Sequence, residues 1–174
     1  MCFVLYIATD APVKSVPWDE HDRKLNTQDL NEYDECVARH FHRPHLKYVG
    51  SDQGCGCGFR HVSYQNGDWP EERMIGSENY TGEVEQPNHE QLHQFLSVLL
   101  TSTEAVELYG CWDGDFQEVS AGHESILVDR ILDSAFFFRE RYGYIVNRSE
   151  QAASPNRSSP PSQKPTSPVR GSED

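Results

Sequence analysis

No run in this chain of 174 residues comes near the ~20 consecutive apolar residues that a membrane-crossing helix needs. A spanning segment is therefore not expected. The opening residues, from Met1 to Ile7, also lack the charged leader and apolar stretch of about 7–15 residues that mark a secretory signal. The expected compartment is the cytoplasm, where thiols stay reduced.

Positive charge is scarce. There are 15 Lys and Arg against 28 Asp and Glu, for a formal net charge of −13. A body this acidic repels phosphate backbones and anionic lipid, which excludes nucleic acid and membrane surfaces as ligand classes. A basic protein is the partner that the charge favours, and the same charge also serves simple solubility.

Catalytic signatures are missing as well. Eight histidines allow many paper triads, but no G-x-S-x-G elbow presents a serine nucleophile. The glycines 54, 56 and 58 lead into a strand-like pattern, with no Lys-Ser or Lys-Thr, whereas phosphate loops open a helix. Asp113, Asp115 and Glu118 resemble the start of a calcium loop, but the glycine required at its sixth position is Glu118 instead. No internal repeat is present.

What is present is Gly54-Cys55-Gly56-Cys57-Gly58. Two thiols one residue apart, flanked by residues that leave them sterically open, point to metal ligation or thiol redox chemistry. Zinc takes four ligands, commonly from pairs spaced C-x2–4-C, and no second pair exists here. The candidate set is therefore Cys55 and Cys57 with Cys2, Cys111 and His61, and zinc is the candidate ion. His40, His42 and His45 form a second group interrupted by Pro44. The competing class is a thiol-dependent enzyme or redox sensor using Cys55 and Cys57, with Arg60 and His61 stabilising a thiolate. The plain alternative is that these cysteines pack beneath the sheet, as free cysteine often does.

The pattern along the chain predicts an α+β domain over residues 1–148, with a mixed or mainly antiparallel sheet and two or three helices on one face. Residues 2 to 7 are apolar on both alternating sets, as in a strand covered on both sides. Helices are expected from Asp29 to His40 and from Asn88, the latter carrying a stripe of Leu92, Phe95, Leu96, Leu99 and Leu100. Strands are expected at His45 to Val49, Phe59 to Tyr64 and Ala105 to Trp112. Asp113-Gly114 reads as a hairpin turn into Asp115 to Ser120. Residues 123 to 133 fit a short helix, or a strand at Ile126 to Val128. Phe136 to Phe138 and Tyr142 to Val146 fit a closing hairpin. Residues 65–87 read as a long polar loop. Residues 149–174, rich in Pro and Ser and without aromatics, cannot offset the entropy of ordering and are expected to be disordered. Trp18, Trp69 and Trp112 either fold back over the core or serve as binding anchors. The expected function is a small acidic binding or interaction module whose glycine-cysteine loop holds a structural metal.

Overall fold

The computed structural model describes residues 2–64, 67–69 and 84–149. Most of the expected 65–87 loop and all but Ser149 of the expected tail lie outside these residues. Strand β1, Phe3–Thr9, is the centre of the fold. It is followed by β2 (Asn26–Gln28), β3 (His45–Gly50), β4 (His61–Val62), helix α1 (Gln86–Leu99), β5 (Ala105–Trp112), β6 (Gly122–Leu127), β7 (Phe138–Arg139) and β8 (Tyr142–Asn147). Six strands form one sheet in the order β2-β3-β1-β5-β8-β6, while β4 and β7 make a separate parallel pair. Every neighbour in the large sheet is antiparallel except β6 with β8. The fold is thus α+β with a mixed sheet.

The doubly apolar reading of β1 holds, and its physical basis is visible. Phe3, Leu5 and Ile7 enter one core with Leu92 and Leu96 of α1. Val4 and Tyr6 enter a second core with Val37, Tyr109, Cys111 and Phe116. Side chains alternate across a strand, so one short segment nucleates both layers.

Several local expectations are corrected. Among the described residues α1 is the single α-helix, so two or three helices were too many. The segment expected as a helix from Asp29 forms only a 3-10 turn, Glu35–His40. Asp34 and Asn31 bond each other's backbone there and hold a turn in place of a longer helix. Helix α1 starts at Gln86, with Pro87 in its first turn, and Asn88 is not its cap. Gly114 does adopt a turn conformation, φ +98°. No strand follows in 115–120, and β5 pairs with β1 and β8, so the expected hairpin is absent. Residues 123–133 split into β6 and a 3-10 turn at Val128–Leu132. Strands β7 and β8 belong to different sheets and do not form a hairpin together.

Arg60 and His89 tie the layers. Arg60 is 1% exposed and donates to the carbonyls of Phe136, Ile131 and Asp133 and to Gln86 Oε1. Its own N–H donates to His89 Nε2 at 2.9 Å. With Nε2 accepting, His89 Nδ1–H donates to the carbonyl of Ile131 at 2.9 Å. Burial, reinforced by the Arg60 charge, pulls His89 down to about 3. A histidine harder to protonate when folded contributes stability above its ordinary value near 6.5, and that contribution is lost as pH falls towards 3. Half-buried His40 and His61 shift in the same direction, chiefly through burial. Thermal melts from pH 6.5 down to 4.5 should show falling stability, with His89 contributing about 1.4 kcal/mol per pH unit. His89→Gln should flatten this slope measurably. An unchanged slope in the variant would refute the assignment.

Candidate metal centre

Strand β1 outruns its neighbour. Its register with β3 begins at Leu5 opposite Val49, whereas β5 accompanies it from Phe3 opposite Trp112. The first residues of β1 therefore present an edge that β3 does not cover. The chain leaving β3 folds back over that edge as residues 51–58. The Phe3 N–H donates to Cys57 Sγ at 3.3 Å, so a sulfur replaces the missing ladder partner.

The glycines make this close approach possible. At Gly54 φ is +77°, a backbone conformation that suits glycine and turns the loop. A Cβ on Gly56 would stand 2.9 Å from the Phe3 carbonyl oxygen and 3.3 Å from the Leu5 nitrogen. Both obstacles are backbone and cannot swing aside.

Polar ties then hold the loop. Ser51, fully buried, donates through Oγ to the Cys55 carbonyl at 2.6 Å and accepts from the N–H groups of Gln53 and Gly58. Its own N–H reaches the same Cys55 carbonyl. Asn88 Nδ2 donates to Asp52 and to the Gly58 carbonyl, and Asn88 Oδ1 accepts from Asp52 N–H. Tyr48 Oη donates to the Gly54 carbonyl at 3.2 Å. Burial, and then the neighbouring thiols, push the Tyr48 hydroxyl upward, which keeps it a donor.

The consequence is convergence. The sulfurs of Cys2, Cys55 and Cys57 all lie within 4.8 Å of one another, a group able to hold a metal ion. Cys2 is exposed, and the other two are half-buried. Thiolates about 2.3 Å from a tetrahedral zinc stand roughly 3.8 Å apart, so only a modest contraction separates this arrangement from a ligand set. Burial, followed by contact with Cys57, pushes the Cys55 thiol up to about 12. Crowded thiolates repel one another, and a cation reverses the sign of that interaction.

The other two candidates stand outside this group. Cys111 is opposite Val4 and completely buried in the second core, where burial pushes its thiol upward. His61 stacks on Phe3 with ring centroids 4.5 Å apart, and its Nδ1 pairs with the Phe59 carbonyl at 2.8 Å. Of the three tryptophans Trp112 packs against the first core, while Trp18 stays exposed, and Trp18, Trp69 and Trp112 are each tied by a hydrogen bond. Their indole N–H groups reach the Asp52 carbonyl, the Glu140 carbonyl and the Glu140 carboxylate, respectively. Sequence reasoning did not find Ser51 or the role of Asn88. Ser51 has no distinguishing neighbours, and Asn88 after Pro87 imitates a helix cap.

No family model, curated protein or solved structure matches this chain. Gly56→Ala should cost about 1–3 kcal/mol of stability, as overpacking against fixed atoms does. Denaturant melts of the metal-free protein would measure it. An unchanged midpoint would mean that the loop does not depend on close contact with β1.

Proposed function

We propose that this chain is a metal-binding module in which Cys2, Cys55 and Cys57, as thiolates, hold one thiophilic ion of the zinc class. The observation that carries this reading is the meeting of three sulfurs within 4.8 Å from two separate segments. Soft sulfur ligands select zinc, copper(I) or iron over hard cations. Because each thiol must lose its proton on ligation, uptake releases protons and strengthens with pH.

The ion acts as a staple. It joins the start of β1 to the loop after β3, where the sheet ladder is incomplete. The chain's net charge of −13 suits a basic protein partner. A thiol-dependent enzyme or redox sensor would instead need a thiolate at neutral pH, which the upward push on Cys55 opposes.

Zinc should raise the melting temperature of the metal-free protein, and chelator should reverse the rise. An excess of 100-fold over Kd adds about 2.7 kcal/mol of apparent stability. Native mass spectrometry should then show one ion per chain. Cys55→Ser combined with Cys57→Ser should abolish both responses. If zinc leaves wild-type melting unchanged, the staple does not exist. Alkylation offers a second measurement. Metal-free Cys55 should react slowly at pH 8, and rapid modification there would favour the redox class instead.

A further inference from the structure

On the sheet face that carries Val4 and Tyr6, a cavity of about 420 Å³ opens beside Cys2 and Cys55. Its walls are aromatic and acidic. Tyr6, Tyr33, Tyr48 and Phe116 supply rings, while Asp29, Asp34 and Asp113 supply carboxylates. No Lys, Arg or His among the described residues lines it.

The carboxylates differ in how they are compensated. Asp29 is paired with Lys47 and accepts from Ser15. Asp34 is 6% exposed, and its carboxylate accepts from Tyr6 Oη at 3.2 Å and from Asn31 N–H at 3.2 Å, both neutral groups. Asp113 follows the end of β5 directly, and its N–H donates to the Cys2 carbonyl. A carboxylate buried among rings without a cation is costly. Aromatic rings beside Asp34, whose partners are neutral, and the exposed Asp113 form an environment that suits an ammonium group.

The sulfur side of the cavity adds a second requirement. Three protein ligands leave one position on a four-coordinate ion, and among the described residues no fourth His, Cys, Asp or Glu joins the three thiols. Cys2 and Cys55, two of the three thiols, wall the cavity. A soft ion accepts a sulfur donor there. A fourth thiolate adds negative charge to a cavity already walled by Asp34 and Asp113, and an ammonium group on the same molecule offsets it.

We propose that the cavity receives a small aminothiol. Its sulfur completes the coordination of the ion, and its ammonium group rests against Asp34, Asp113 and the tyrosine rings. This rests on the metal reading above. The step is a ligand exchange: the thiol releases its proton to solvent as the sulfur–metal bond forms, water leaves the ion, and no electron is transferred.

Cobalt(II) tests it, because thiolate-bound cobalt absorbs visible light and reports each change of ligand. The cobalt-loaded protein would be titrated with cysteamine, 2-mercaptoethanol and mercaptoacetate, which are cationic, neutral and anionic thiols of similar size. Cysteamine should shift the spectrum at a concentration at least about tenfold lower than mercaptoacetate, with 2-mercaptoethanol between them. Asp34→Asn with Asp113→Asn should bring the three midpoints together while the cobalt spectrum itself persists. Equal midpoints in wild type, or a spectrum that no thiol alters, would overturn the aminothiol proposal and leave the metal reading standing. Failure to take up cobalt at all would remove the metal reading and this proposal with it.

Discussion

The organisation of this protein depends on one unfinished ladder. Strand β1 is paired by β5 from Phe3 to Ala8 but by β3 only from Leu5 onward. Buried backbone groups must find partners, and here the chain itself returns to supply them. The Phe3 N–H takes the sulfur of Cys57, and Gly56 lies against the Phe3 carbonyl. The thiol cluster follows from that closure. Once the loop lies on the edge, Cys55 and Cys57 are carried to Cys2 because Cys2 begins the same strand.

The loop is rigid for reasons that lie partly elsewhere. Ser51 closes it from within, and Asn88 fastens it to the first turns of α1. Helix α1 is in turn held through His89 to Arg60 and the carbonyl of Ile131. Buried polar groups of this kind are stabilising only when every member is satisfied. Glu140 repeats the arrangement on a smaller scale by accepting from Trp112 and the N–H of Tyr64. The position of the sulfurs is thus coupled to the packing of the helix layer.

The sequence was informative where periodicity or composition had a single physical cause. The two apolar faces of β1, the stripe of α1, the strand at β3 and the prominence of the glycine-cysteine loop could all be read directly. It misled where a local signal had a non-local rival. Asp113-Gly114 makes its turn, but β5 prefers β1 and β8 because pairing there buries it on both sides. Leu30, Tyr33, Val37 and Phe41 recur at helical spacing, but the segment from Asp29 to His40 closes only as a short 3-10 turn. Cys2 joins Cys55 and Cys57 while Cys111 and His61 do not, and spacing alone holds no information on that choice. Strand register decides it: Cys111 falls opposite Val4 in the second core, and His61 stacks on Phe3.

Trp18 has a position with practical value. Its ring lies against Gly54, where an added Cβ would come within 3.2 Å of it, and its indole N–H donates to the Asp52 carbonyl. Indole emission depends on the polarity and hydrogen bonding around the ring. Beside the backbone of Gly54, one residue away from Cys55, the protein thus carries an intrinsic optical gauge of the loop that presents the sulfurs.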